Sequence, residues 1–223
     1  MPRLSIHNLA LVWTELEQLY SENAYNGHGI NNEVFLEQRS SDLLFIAPHA
    51  LNHFRKNKVK RADLRTGALA ELLAMEFNAS ALIPRGIIPA QDDWGLREDN
   101  FRLKLDEAVN SNTFALDLHG MKNTGDIEIC LGTGPYPSER VMEFASQFSL
   151  ELSEYNAVIN MQGFAAKSDV TITSYLQTQA LSVDCIQVEI ARKFRQPHEN
   201  PEVASKFFTD FANAIRKTWL SIV

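Results

Sequence analysis

Basic side chains are scarce in this 223-residue sequence, which has 21 lysines and arginines against 28 aspartates and glutamates and a net charge of −7. Because binding to nucleic-acid phosphates requires a basic surface, we expect no nucleic-acid partner. Long apolar runs are also missing, so no membrane-spanning segment and no membrane partner are expected. The opening residues turn acidic before an apolar core forms, which predicts a cytoplasmic protein without a signal peptide.

Cysteine and the common nucleophile motifs are scarce as well. The two cysteines, Cys130 and Cys185, each lie in an apolar run and are not spaced as metal ligands. We therefore predict buried free thiols in a protein of a reducing compartment. No G-x-S-x-G and no G-x-x-x-x-G-K-[ST] segment occurs, which argues against a serine hydrolase with a nucleophile elbow and against a P-loop protein.

The segments that are present alternate between short apolar strands and amphipathic helices. Such alternation predicts a three-layer α/β fold, with a central mostly parallel or mixed sheet and helices on both faces. The length and the ordinary composition predict one domain over residues 1–223. The predicted strands lie at 43–47, 79–84, 113–119, 126–132, 156–160 and 183–191. The predicted helices lie around residues 9–19, from residue 66 onward, and at 98–109, 138–148, 171–180 and 203–220.

Polar residues stand at the carboxyl ends of three predicted strands, which is where open α/β sheets bind their ligands. His49 directly follows the first strand, His119 ends the third, and Glu189 lies near the end of the last. Strand alternation places Asp117 on the same face as His119. A carboxylate in a central strand is costly unless something compensates its charge. A metal ion or a catalytic water would do so.

Two histidines and a nearby carboxylate are the donor set of a catalytic zinc, which keeps its fourth position for water. Asp63 is the preferred third ligand, because the polar loop before the second helix can fold it back beside His49. His53, four residues after His49, is a rival ligand. Each residue also has an ordinary structural interpretation, such as a hydrogen-bonded loop histidine or a helix cap. Their combination at three strand ends favours the metal site.

Several segments resemble the N-formylglutamate amidohydrolase family, which is itself similar in fold to the zinc carboxypeptidases and the aspartoacylase group. The resemblance covers residues 43 to 195 and depends on the order of its motifs: a strand-end Pro-His, an Asp, an Asp-x-His strand end and a late Gln-x-Glu strand. The matching strings are FIAPHA, RADLRTGALAELLA, ALDLHGM, DIEICLGT and GFAAKSDVTITSYLQTQALSVDCIQVEIARKFR.

The resemblance implies a hydrolase with one zinc ion, or another divalent transition metal, held by His49, Asp63 and His119. It further implies that Glu189 is the general base. The expected reaction is cleavage of an amide bond in an N-acyl amino acid, N-formyl among them, or in a small peptide-like substrate. The alternatives are a zinc peptidase or esterase that uses the same site, and a non-catalytic binding protein that retains the fold.

Arginines are the expected ligands for a substrate carboxylate, because the guanidinium offers a planar fork of donors. Arg85 and Arg102 are the candidates, with Arg192 and Arg195 after the Glu189 strand in reserve. The chain departs from the family here, since PHAL replaces the usual PHSG and Asn100 is separated from Arg102 by one residue. The resemblance therefore implies amide hydrolysis without identifying the substrate, and the oligomeric state is left open.

Overall fold

The computed structural model of the chain describes residues 6–28, 34–55, 58–86, 98–123, 125–178 and 182–222. The strands are β1 (Val34–Glu37), β2 (Leu43–Ile46), β3 (His53–Arg55), β4 (Lys58–Lys60), β5 (Ser80–Pro84), β6 (Phe114–Met121), β7 (Ile129–Gly132), β8 (Ala157–Ile159) and β9 (Asp184–Ala191). The helices are α1 (Ile6–Ser21), α2 (Thr66–Phe77), α3 (Asn100–Ala108), α4 (Glu139–Glu151), α5 (Ile172–Thr178) and α6 (Pro201–Ile222).

Seven strands form one mixed sheet in the order β1-β5-β2-β6-β9-β7-β8. The four strands β5, β2, β6 and β9 run parallel at its centre. At its sides β1 is antiparallel to β5, and β7 is antiparallel to β9 while β8 runs parallel to β7. The predicted α/β fold with a mixed sheet is confirmed. The carboxyl ends of the central strands share one edge, as expected for the predicted site.

Local signals in the sequence explain where several helices begin and end. Ser138 caps α4 by accepting a hydrogen bond from the backbone N–H of Val141, and Asp99 caps α3 in the same way through Arg102. Asn78 ends α2 in the left-handed conformation, which asparagine tolerates better than most residues.

Strand alternation divides the core into two layers. On one face of the sheet, α1, α2, α4 and α6 pack over residues such as Phe45, Leu116 and Val188. On the other face, α3 and α5 pack over Leu44, Ala115 and their neighbours. Helices therefore cover both faces, as predicted. The second core layer ends before the carboxyl ends of β6 and β9, where polar side chains take the place of apolar ones.

The segment 49–63, predicted as a loop, contains an antiparallel hairpin of β3 and β4 that is separate from the main sheet. Strand β1 was also not predicted. Both cysteines are buried and free, as predicted. None of the helices in the described residues is long and apolar enough to cross a membrane.

Candidate metal centre

The structure places the carboxylate of Asp63 between two imidazoles. Asp63 Oδ2 lies 3.4 Å from His49 Nδ1 and 3.5 Å from His119 Nδ1. His49 follows β2, and His119 stands on the neighbouring strand β6. The ligand atoms of the three residues all lie within 4.8 Å of one another, and none of the three side chains is fully exposed. This is the one cluster of metal-ligand type found among the described residues.

Asp63 reaches this position through its own backbone. The loop from β2 returns so that the N–H of Asp63 donates to the carbonyl of His49 at 2.8 Å. Thr66, the first residue of α2, donates its hydroxyl to the Asp63 carbonyl at 2.7 Å. Asp63 therefore stands just before the helix, as expected from the sequence, and its side chain is left to face the histidines.

Asp117 determines how the ring of His119 is used. The two residues alternate on one face of β6, and His119 Nε2 lies 3.0 Å from Asp117 Oδ1. In neutral His119, a proton on Nε2 satisfies this contact and leaves the lone pair on Nδ1, the nitrogen that lies 3.5 Å from Asp63 Oδ2. Asp117 is fully buried, and its second oxygen, Oδ2, has no hydrogen-bond partner among the described residues.

His49 is held on two sides. The ring of His53 stacks on it with centroids 4.4 Å apart, and the ring of His119 meets it edge-on at 4.7 Å. Lys60, at the end of the hairpin, donates its ammonium group to His49 Nδ1 at 2.9 Å. The rival ligand His53 therefore lies on a strand and packs against a proposed ligand, while its own Nδ1 is 3.4 Å from the Leu51 carbonyl.

Burial and charge shift the three groups in different directions. Burial holds the pKa of His49 well below its ordinary value. Burial acts in the same direction on His119, but the carboxylates of Asp117 and Asp63 raise its pKa well above the ordinary value. Burial would raise the pKa of Asp63, yet the two imidazoles beside it hold the pKa well below the usual range. Asp63 is therefore ionised at neutral pH, and His49 is neutral.

Glu189 stands on the strand beside His119. The two residues are direct partners in the parallel register of β6 and β9, so their side chains share a face and an edge of the sheet. Gln187 donates to Glu189 Oε1 at 3.1 Å. Glu189 is 8% exposed, and burial, reinforced by the charges of Asp63 and Asp117, raises its pKa above the ordinary value.

The residues present fit a divalent transition metal. Two imidazole nitrogens and one carboxylate oxygen converge, and three protein ligands of these types are typical of catalytic zinc sites. The buried, unpartnered oxygen of Asp117 behind His119 places further negative charge at this point, which a cation would compensate.

The two predicted substrate arginines each have an acidic partner of their own. Arg85 directly follows β5, pairs with Glu71 at 2.9 Å and covers the ring of Phe35. Arg102 lies in the first turn of α3, pairs with Asp106 at 2.8 Å and has its guanidinium 3.9 Å from the centre of the Tyr175 ring. Each guanidinium therefore already contacts a carboxylate, and a role in substrate binding stays a prediction for both.

Lys60 was not singled out as a site residue from the sequence, because it belongs to a run of basic residues. Its position became clear only with the hairpin, whose Cα pairing of His53 with Lys60 carries both residues to His49. The ammonium group is half-buried, and no described carboxylate lies within ion-pair distance of it.

Comparison with known proteins gives structural matches only. No family profile and no curated protein matches the sequence. N-formylglutamate amidohydrolase from Ralstonia eutropha superposes with a TM-score of 0.57 at 13% identity, covering 85% of this chain and 98% of the other. The chain shares its fold with this protein. A bacteriophage poly-γ-glutamate hydrolase superposes with a TM-score of 0.54 at 18% identity, covering 90% of this chain and 93% of the other.

A gene product of Agrobacterium tumefaciens superposes with a TM-score of 0.54 at 12% identity and covers 93% of this chain and 100% of the other. Structural matches at such low identity show a common fold only, so the chemistry has to be argued from the residues of the site. The fold resemblance seen in the sequence motifs is thus confirmed in the structure.

Proposed function

We propose that the chain is a metal-dependent amidohydrolase that cleaves the amide bond of an N-acyl amino acid or a small peptide-like substrate. The convergence of His49, Asp63 and His119 within 4.8 Å, with Glu189 on the next strand, carries this proposal. The names of two proteins with this fold describe hydrolysis of glutamate-containing compounds, which supports the same reaction class.

His49, Asp63 and His119 would hold one zinc ion or a similar divalent metal. When bound, such an ion polarises an amide carbonyl and lowers the pKa of water. Asp117 keeps the Nε2 proton of His119 and so preserves the lone pair on Nδ1. His53 fixes the plane of the His49 ring by stacking on it. The chain thereby orients both imidazoles before any ligand arrives.

Glu189 is the group placed to move protons. Its pKa is raised towards neutral pH, and a general base is most effective when its pKa lies near the working pH. It takes a proton from the attacking water and returns it to the amide nitrogen that leaves. Gln187 holds one carboxylate oxygen through a hydrogen bond of 3.1 Å and leaves the other available for this transfer.

Lys60 is the candidate for contact with a substrate anion at the centre itself. Its ammonium group already lies against His49 and acts on the charge of Glu189. Arg85 and Arg102 are the candidates for a carboxylate further from the scissile bond, each after exchanging its present acidic partner. A substrate with a carboxylate near the amide suits this set of cations.

Metal analysis and an assay panel test the proposal together. Purified protein in zinc-containing buffer should hold about one equivalent of zinc. The loss of zinc in His49→Ala and His119→Ala, with retention in the exposed control His198→Ala, would support the ligand assignment. Wild-type protein that binds no zinc would contradict it.

The panel consists of N-formyl-L-glutamate, γ-glutamyl oligomers, N-acetyl amino acids, short α-peptides and a carboxylate ester, each with and without EDTA. Chelator-sensitive release of amine from an N-acyl compound is the expected result. Turnover restricted to α-peptides or to the ester would replace the proposed function by a peptidase or an esterase. Zinc binding without turnover of any compound would favour a binding protein.

A further inference from the structure

Arg195 is a buried arginine directly behind the metal centre. It follows the short 3-10 turn Arg192–Phe194 at the end of β9, and only 4% of its surface is exposed. Burial lowers the pKa of its guanidinium to about 10, so the group still carries its charge at neutral pH. A buried charge is destabilising unless its surroundings satisfy it, so the partners of Arg195 indicate its role.

The guanidinium of Arg195 donates to three backbone carbonyls from three separate segments. Nε donates to Ile190 at 3.2 Å, Nη2 donates to Met121 at 3.4 Å, and Nη1 makes a short hydrogen bond to Leu64. These carbonyls belong to the residue after Glu189, the second residue after His119, and the residue after Asp63. One side chain thus connects the backbone beside a base candidate and two ligand candidates.

Gly120 provides the space for this connection. A methyl group at Gly120 would lie 2.5 Å from Arg195 Cζ, far inside van der Waals contact. The residue immediately after His119 therefore has to be glycine if the guanidinium is to reach the Met121 and Leu64 carbonyls. The close approach involves only the head of the arginine side chain, so a methyl group at Gly120 would displace the guanidinium from its carbonyls.

The charge of Arg195 serves the same three segments. Asp63 and Glu189 are the strongest stabilising charges acting on it. Its described hydrogen bonds nevertheless go to neutral carbonyls, so the oxygens of both carboxylates stay available for other partners. The guanidinium stabilises the ionised form of both carboxylates, while its described hydrogen bonds go to other groups.

We propose that Arg195 is a positioning residue of the metal centre, because it ties together the backbone that carries Asp63, His119 and Glu189. The inference rests on the proposed function only for what those side chains do, since the connection itself is a property of the fold. Arginine is suited to it because its five donors form a rigid fork, whereas a lysine offers one mobile ammonium group.

Amide hydrogen exchange on zinc-free protein tests the connection without any reference to activity. Arg195→Lys keeps the charge and removes the fork. Arg192→Met, which changes an exposed arginine on the same turn, is the matched control. We expect Arg195→Lys to lose protection selectively in the segments around residues 63–66, 119–122 and 188–191, while α4 and α6 keep theirs. Unchanged protection, or a uniform loss over the whole chain, would overturn the proposal.

Zinc affinity is the second measurement, by competition with a chelator of known affinity. Loss of an outer contact that orients metal ligands typically weakens binding roughly 10- to 100-fold, and we expect a change of this size in Arg195→Lys and none in Arg192→Met. Equal zinc affinity in Arg195→Lys and wild type would also overturn the positioning role.

Gly120→Ala provides an independent variant if Arg195→Lys fails to fold, because it displaces the intact guanidinium from its carbonyls. It should show the same selective loss of protection, and unchanged exchange would overturn the proposal.

The proposed function and the role of Arg195 can be contradicted independently of each other. Wild type without zinc but with selective exchange in the variants contradicts the proposed function alone. Zinc-binding wild type with unaltered exchange in both variants contradicts the role of Arg195 alone.

Discussion

At the scale of single residues, the centre depends on which atom of each side chain is already engaged. Asp117 engages Nε2 of His119, and Gln187 engages Oε1 of Glu189. The atoms left over are Nδ1 of His119, which lies 3.5 Å from Asp63 Oδ2, and Oε2 of Glu189. The ionisable groups are thus oriented by neutral or buried neighbours two residues away on the same strands.

Changing Glu189 to glutamine removes the proposed proton acceptor while preserving shape and the contact with Gln187. A positioned general base typically contributes about 10²- to 10⁴-fold, so kcat should fall by this factor and zinc content should not change. Steady-state kinetics and metal analysis measure the two effects. Glu202→Gln, at an exposed position on α6, should behave like the wild type. A Glu189→Gln enzyme with near-normal turnover would show that the base is another group.

Residue-scale prediction succeeded where strand alternation applied and failed where contacts span distant segments. The period of two was sufficient to pair Asp117 with His119 on one face of β6 and Gln187 with Glu189 on one face of β9, and the register of the two strands then brought both pairs to the same face. The roles of Lys60 and Arg195 depend on a hairpin register and on a side chain that returns beneath the sheet, and no local pattern encodes either. The ion pair of Arg85 was equally invisible, because its partner Glu71 lies on α2. The pair of Arg102 with Asp106 has the i,i+4 spacing of a helix and could have been read from the sequence.

At the scale of elements, the helix α1 carries a buried acid whose titration opposes folding. Glu17 accepts hydrogen bonds from the Tyr25 hydroxyl at 2.6 Å and from the backbone N–H of Arg65 at 3.0 Å, with Arg195 also nearby. Burial raises the pKa of Glu17 to about 7 from an ordinary value of 4.5, despite these opposing contacts. The folded state therefore binds this proton more tightly than the unfolded state does.

The free energy of unfolding of the wild type should fall as the pH rises from 4.5 to 7, and Glu17→Gln should not show this fall. The favourable contribution of protonated Glu17 is fully present below pH 4.5 and is lost as the pH passes through about 7. The shift corresponds to a change on the order of 3 kcal/mol in the free energy of unfolding. Urea unfolding in EDTA at several pH values measures it, with the exposed Glu15→Gln as the control. Parallel pH profiles for wild type and Glu17→Gln would contradict the assignment.

The contact between α1 and α2 leaves no room for a side chain at Gly67. A methyl group there would lie 2.8 Å from Tyr20 Cζ and 2.9 Å from Ala50 Cβ. Gly67→Ala should destabilise the fold by about 1–3 kcal/mol, although alanine favours helices. The loss should be smaller in an Ala50→Gly background, which removes one of the contacts. Equal losses in both backgrounds, measured by urea unfolding, would place the strain elsewhere.

The helices and most strands were predicted, including the short strands β2, β7 and β8, whereas β1, β3 and β4 were not. Helices α1, α2, α4 and α6 carry buried residues at helical spacing over several turns, and their predictions are confirmed. The four residues of β1 are of intermediate burial and β4 is mostly exposed, so these strands lack the buried apolar run that identified β2 and β7. Pairing with other strands, rather than local composition, defines these elements.

At the scale of the whole molecule, the direction of β7 follows from chain length. The segment from Met121 to Ile129 is too short for the crossover that a parallel neighbour requires, so β7 runs antiparallel on the far side of β9. The sequence indicated a mixed or mostly parallel sheet, and the strand order emerged only from the structure. The parallel central strands were the part that mattered for the site, because they collect three chain segments at one edge.

Metal removal should lower the thermal stability of the whole chain. At a free zinc concentration 100 times Kd, binding only to the folded state contributes about 2.7 kcal/mol. For a chain of 223 residues this corresponds to a Tm decrease of about 5–11 °C when EDTA is added. Calorimetry on wild type and His49→Ala measures the difference, and the variant should be insensitive to EDTA. Identical transitions for wild type in zinc and in EDTA would argue against a ligand-linked fold.

The main-chain hydrogen bond from Asp63 to His49 closes the base of the excursion that forms β3 and β4. Because the two ends are joined to each other, the thirteen intervening residues, 50–62, can change in length without separating Asp63 from His49. Such changes would alter the contacts of His53 and Lys60 with the His49 ring. The excursion therefore couples the surface beside the proposed centre to the orientation of one of its ligands.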